Sequence, residues 1–135
     1  MSNTDVYVVV TADILMNDVI NKRGNKNLVY SSNGVDYKFF QEFGEHKLDY
    51  NFAEVFKNGK RNVCYYGALA KWFDYDLIKE IACSNKYNVI LFGIKYDESY
   101  DQNITGKEEN IYFFGPKDYS ELKYYARNCD ILMVP

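Results

Sequence analysis

Histidine and tryptophan occur once each, and proline twice, in a chain of 135 residues. The one histidine, His46, stands in a charged stretch with no carboxylate partner visible from sequence, so it gives no basis for histidine-dependent catalysis. The three cysteines, Cys64, Cys83 and Cys129, are odd in number and far apart, and no pair has metal-ligand spacing. Buried reduced thiols of a cytosolic protein are the expectation. No Walker A motif and no Gly-x-Gly-x-x-Gly is present, which excludes the usual phosphate loops, and no Gly-x-Ser-x-Gly elbow is present for a nucleophilic serine. Gly67-Ala68 and Gly115-Pro116 stand where a receiver domain would carry its acids. No apolar run reaches 18 residues, and Met1-Ser2-Asn3-Thr4-Asp5 is too polar for an export signal, so a soluble cytoplasmic chain is expected. Net charge is -3 with the signs mixed along the chain. No basic stripe favours nucleic acid. No internal repeat and no low-complexity linker appears.

What the chain does have is apolar and aromatic: 47% hydrophobic and 18% aromatic residues, with 14 tyrosines, enough for the core of one ordinary domain rich in buried rings. Four segments share one layout, a short apolar run closed by Gly or Pro: Val63-Cys64-Tyr65-Tyr66-Gly67, Val89-Ile90-Leu91-Phe92-Gly93, Ile111-Tyr112-Phe113-Phe114-Gly115 and Ile131-Leu132-Met133-Val134-Pro135. Runs of this length, buried on both faces, are what parallel strands look like in sequence. Helical-looking segments follow the first and third, which predicts an α/β, Rossmann-like parallel sheet with flanking helices. Ligands of such sheets bind beyond the carboxyl ends of the strands, where the closing glycines would let backbone approach them.

Asp74 is a good N-cap for a helix near 75–85 with Leu77, Ile78, Ile81 and Ala82 on one face. Asp118-x-x-Glu121 has the pattern of a capping box opening a helix near 119–128, with Tyr119, Leu122, Ala126 and Cys129 inward. Upstream, Val6–Val10 reads as a strand, Asp13 as the cap of a short helix stopped at Gly24, and Leu28-Val29-Tyr30 as a second strand. Residues 41–62 are charged and read as a connection, with Phe52 and Phe56 marking a short helix, and 94–110 reads as a surface loop. The chain ends directly after a strand that a loop and helix would ordinarily cover. A piece of a longer protein, or a truncated reading frame, is therefore expected, with an open sheet flank prone to self-association.

Chemistry-bearing residues are few. Asp74 and Asp76 could touch a substrate, but acids in a first helical turn ordinarily satisfy free amides and the dipole. Trp72-Phe73 could stack on a sugar or base, or pack a helix entry. Lys117, past Gly115, could meet a phosphate, against a default of solvation. Asn33-Gly34 reads as a turn.

The string Cys64-Tyr65-Tyr66-Gly67-Ala68-Leu69-Ala70-Lys71-Trp72-Phe73-Asp74-Tyr75-Asp76-Leu77-Ile78 resembles a signature of bacterial group 1 glycosyltransferases of the GT-B fold, of the kind that builds cell-surface polysaccharides such as teichuronic acid. Asn33-Gly34-Val35-Asp36 with Phe39 or Phe40, Asn110–Gly115 followed by Tyr119-Ser120-Glu121-Leu122, and Asp130–Pro135 are similar to further motifs of that family, in order. Asp5–Thr11 is similar to the last strand of its amino-terminal domain.

The resemblance implies two Rossmann-like domains facing across a cleft, the second binding a nucleotide-diphosphate sugar, with no metal and no cofactor required. It divides this chain into the end of the amino-terminal domain and linker (1–36), a connection (37–62) and part of the nucleotide-sugar-binding domain (63–135). It places Gly67 and Ala68 at the donor phosphates, Gly93 and the Gly115-Pro116-Lys117 loop near base and ribose, and Asn33 and Gly34 facing the cleft. The acceptor, a saccharide or lipid-linked saccharide, would be held by the missing domain. The whole enzyme would work in the cytoplasm, with a peripheral place at the inner membrane face compatible with that setting. Ala68 stands where many members carry an Arg of the diphosphate clamp, and the E-x7-E segment is expected beyond Pro135. The function implied is transfer of a sugar to an acceptor hydroxyl by the whole enzyme, with this stretch inactive alone. The alternative is a non-catalytic Rossmann-like binding module.

Overall fold

The computed structural model describes residues 6–42 and 44–135, which belong to two units, 1–42 and 43–135. The first is a βαβ element. Strand β1 (Val8–Val10) pairs in parallel with β2 (Leu28–Tyr30), register Val8 to Leu28, across helix α1 (Asp13–Arg23). Ala12 occupies the N-cap position, so Asp13 begins the helix rather than capping it. Gly24, at φ +79°, ends it by donating its N–H to the Ile20 carbonyl at 2.9 Å. Ile14, Leu15 and Ile20 do not share a face and are exposed. Asp36 caps helix α2 (Tyr37–Gln41), its carboxylate accepting from the Phe39 amide at 3.0 Å.

The second unit carries a four-stranded parallel sheet. Its strands are β3 (Arg61–Tyr66), β4 (Tyr87–Phe92), β5 (Ile111–Gly115) and β6 (Ile131–Leu132), in the order β5-β4-β3-β6. The chain steps outward from β3 to β5 and returns to the other side of β3, the order of a Rossmann-like sheet with its switch point between β3 and β6. Helices α4 (Tyr75–Cys83) and α6 (Tyr119–Arg127) stand where their periodicity places them. Every expected strand forms; β1 starts at Val8 rather than Val6, β3 and β4 start two residues earlier, and β6 stops at Leu132.

Strand β4 shows why its sequence is an unbroken apolar run. Val89 and Leu91 pack with Leu69, Phe73, Tyr75, Ile78 and Tyr100 on one face. Ile90 and Phe92 pack with Phe52, Val55, Cys64 and Tyr125 on the other. Successive side chains of a strand point to opposite faces, so a central strand covered on both must be apolar throughout.

Several sequence expectations change. Within the stretch read as a connection, the short helix marked by Phe52 forms as α3 (Tyr50–Val55), while Phe56 opens a 3-10 turn, Phe56–Asn58, instead of continuing it. Phe52 is fully buried, with its ring 4.6–5.7 Å from those of Phe56, Phe92, Phe114 and Tyr125. The 94–110 loop contains helix α5 (Ser99–Asn103), which buries Tyr100. Tyr125 rather than Tyr119 is the buried tyrosine of α6. The capping box at Asp118 does not form: the Asp118 side chain makes no cap bond, and Glu121 instead lies 3.9 Å from His46 Nε2. His46 thus has the carboxylate neighbour that sequence did not reveal, and it stacks on Tyr124 at 4.4 Å.

The thiol expectation also changes. Cys64 and Cys129 form a disulfide, with Cα atoms 6.0 Å apart and a sequence separation of 65; Cys83 is free and exposed. Partners that distant leave no spacing pattern; only the β3–β6 pairing brings them together. Closing so long a loop restricts the unfolded chain and is worth about 2–4 kcal/mol. Thiol titration of the oxidised protein in denaturant should find one reactive group, not three, and the reducing agent should lower the urea midpoint. Three reactive thiols would contradict the pairing.

Candidate functional site

The carboxyl ends of β3, β4 and β5 are tied to each other by backbone. Gly67 N–H donates to the Phe92 carbonyl and Gly93 N–H to the Gly115 carbonyl, both at 2.9 Å. Pairing continues past the strands, with Leu69 N–H donating to Ile94 and Tyr96 N–H to Leu69, again at 2.9 Å. A hollow of about 310 Å³ opens at these ends, lined by Gly67, Ala68, Gly93, Pro116 and Lys117 together with Tyr66, Phe92, Ile94 and Leu122. Five of the six residues that sequence placed at a donor site therefore share one cavity. The sixth, Gly115, is hydrogen-bonded to Gly93. Tyr66, Phe92, Ile94 and Leu122 were not foreseen; the first three flank the closing glycines directly. Asn33 and Gly34 lie in the other unit, exposed.

The glycines have different reasons. Gly93 sits at φ +138°, and a β-carbon there would run into the Gly67 carbonyl, 2.8 Å from its carbon. A β-carbon on Gly67 would instead meet the Tyr65 ring, 2.7 Å from Cζ. The Tyr65 hydroxyl donates to the Ala68 carbonyl at 3.0 Å, and burial, with the nearby Tyr75, pushes its pKa up, keeping it a donor. At Gly67 and Gly93 the missing β-carbon thus makes room for neighbouring protein atoms. Gly115, at φ +68°, has open space where its β-carbon would stand.

Lys117 is not solvated. Its side chain is only 14% exposed, with Nζ 4.0 Å from Asp49 and 4.9 Å from the Tyr125 ring centre. Any anion in the hollow would compete with Asp49 for it. Asp74 caps α4, accepting from the Leu77 amide at 2.9 Å, and Asp76 pairs with Lys79 at 2.9 Å. Both acids serve the helix. Trp72 and Phe73 divide: Phe73 is buried against Tyr65 and Tyr75, while Trp72 is exposed beside Tyr96.

Asp97 joins the loops after β3 and β4. It accepts from the Ser99 amide at 2.9 Å and from the Lys71 amide at 3.2 Å. Its carboxyl is held below the usual range chiefly by the Ser99 bonds, with the Lys71 amide and ammonium adding to them. This clamp is in place above the ordinary carboxylate range and is lost as pH falls through the lowered value. A larger hollow, about 650 Å³, flanks edge strand β5, and its carboxylate, Glu54, is taken up by Lys57. Among the described residues no cluster of His, Cys, Asp and Glu could hold a metal, and no helix is long and apolar enough to cross a membrane.

No family model and no curated protein matches this sequence. A solved structure does. The chain superposes on Anabaena HepE, crystallised in complex with UDP and glucose, with a TM-score of 0.64 over 93% of this chain at 18% identity. The two share a fold. This chain spans 36% of the length of that one.

The two steric situations predict a graded response. Gly115→Ala should cost about 1–2 kcal/mol, the penalty of a left-handed non-glycine residue. Gly93→Ala should cost more, on the order of 3 kcal/mol, because backbone must also move. Urea denaturation of both variants measures this; equal midpoints would contradict the steric account.

Proposed function

We propose that this chain is the donor-binding part of a GT-B glycosyltransferase, whose whole form moves a sugar from a nucleoside-diphosphate donor to an acceptor hydroxyl. The observation that carries the reading is convergence. Gly67, Ala68, Gly93, Pro116 and Lys117, far apart in sequence, meet in one hollow at the carboxyl ends of parallel strands. That is where Rossmann-like sheets bind nucleotides. The family signature around Gly67 supports the chemistry, and the likeness to a protein crystallised with UDP and glucose supports the ligand class. Surface-polysaccharide synthesis, a cytoplasmic setting, and an acceptor held by a further domain complete the proposal, with Asn33-Gly34 facing the interdomain cleft. The open edge beside Ile131 and Leu132, both exposed, is the proposed region of self-association.

One observation favours a binding module without catalysis. The lysine of the hollow, Lys117, is engaged by Asp49, and Ala68 stands at the Arg position, so the diphosphate has no free cationic clamp there.

Transfer needs donor and acceptor held together, and proximity supplies much of the rate. The 135-residue chain should therefore bind UDP with a dissociation constant on the order of millimolar, about -4 kcal/mol, and transfer no sugar. Amide shifts on UDP titration should cluster at Gly67, Gly93, Gly115 and Lys117. Shifts confined to 33–36 or 45–60, or turnover of a nucleotide sugar by the chain alone, would contradict the proposal.

A further inference from the structure

Trp72 and Tyr96 are large aromatic side chains held in the open. Trp72 is 67% exposed and Tyr96 63%, with ring centres 5.4 Å apart and planes inclined at 53°. They are not floppy loop tips. Leu69 and Lys95 pair as a parallel bridge beneath them. Asp97, next to Tyr96, ties down the amide of Lys71, next to Trp72. Phe73, next to Trp72, is anchored in the core. The two rings are therefore positioned before any ligand arrives, which lowers the ordering cost of binding. Lys71 and Asp97, their neighbours in sequence, line a hollow of about 440 Å³ together with Glu98, Ser99 and Gln102. That size falls within the range of about 300–1,000 Å³ of small-molecule sites.

We infer that the Trp72–Tyr96 corner with this hollow is a saccharide-binding subsite, separate from the glycine-lined hollow. A sugar ring offers an apolar C–H face, which suits an aromatic ring face, and a rim of hydroxyls. The hollow supplies both kinds of hydrogen-bonding partner: Lys71 and Gln102 can donate, while Asp97, Glu98, Ser99 and Gln102 can accept. Asp97 already accepts one amide on each oxygen, and an ionised carboxylate has lone pairs to spare. The two carboxylates disfavour a phosphorylated ligand, so a neutral oligosaccharide is the fitting class. The inference extends the glycosyltransferase reading, since such a site would hold a growing or product glycan, but it stands or falls on different residues.

Trp72 is the chain's one tryptophan, so emission excited beyond the absorption of the 14 tyrosines reports this site alone. Maltohexaose and cellohexaose should be titrated into the full chain, with UDP followed separately at the Gly93 and Gly115 amides. At least one oligosaccharide should change Trp72 emission saturably at millimolar concentration, with amide shifts at Tyr96 and Asp97. Tyr96→Ala should weaken that response at least tenfold while leaving the UDP shifts unchanged. Should Tyr96→Ala not fold, Glu98→Gln, read in the same way, should weaken it several-fold. No saturable response to either sugar would overturn the inference, as would a response undiminished in the variants. Emission that shifts with protein concentration in the absence of sugar would overturn it too, because the rings would then be covered by a second copy.

Discussion

The close approach of Gly93 to the Gly67 carbonyl is the constraint on which the upper edge of the sheet depends. It lets β3 and β4 remain paired beyond their strand ends, where side chains would normally force the backbones apart. Two features follow. The glycine-lined hollow exists because Gly67, Gly93 and Gly115 are laced together at one level. The loops above it continue the pairing through Leu69 and Lys95, which carries Trp72 and Tyr96 to neighbouring positions. A side chain at residue 93 would disturb both.

The opposite edge is fixed by different chemistry. Asn88 is fully buried at the amino end of β4, yet its amide is satisfied: it donates to the Val55 carbonyl at 3.2 Å and to Asn62 at 2.8 Å, and accepts from Asn58 at 2.8 Å. These bonds seat the 3-10 turn after α3 against the sheet, and Phe52 fills the space between them and α6. The sheet thus has a polar, closed lower edge and an open upper edge.

The strands were legible because burial on both faces leaves no polar positions to confuse the pattern, as Val89 to Phe92 shows. Helix α4 was legible because Asp74 caps an apolar stripe. Helix α3 was faint: it is six residues long, and Phe52 is its one fully buried ring. The Cys64–Cys129 bond was invisible because nothing local encodes a partner 65 residues away. The convergence of Gly67, Gly93, Pro116 and Lys117 on one hollow was legible because a strand ending in glycine fixes a position in space as well as in sequence. The role of each glycine was not, since whether a missing β-carbon serves a ligand or a neighbouring backbone depends on the neighbour. Trp72 and Phe73 show the same limit: adjacent aromatics divide between core and solvent, and composition does not say which goes where.

The central claim is that the hollow at the ends of β3, β4 and β5 receives the diphosphate of a nucleotide despite its sparse positive charge. A crystal structure of the chain with UDP at saturating concentration tests it most directly. The account predicts diphosphate density against the backbone of Gly67 and Gly115, with Lys117 turned from Asp49 toward it. UDP seated instead in the hollow along β5, with Lys117 still facing Asp49, would contradict it.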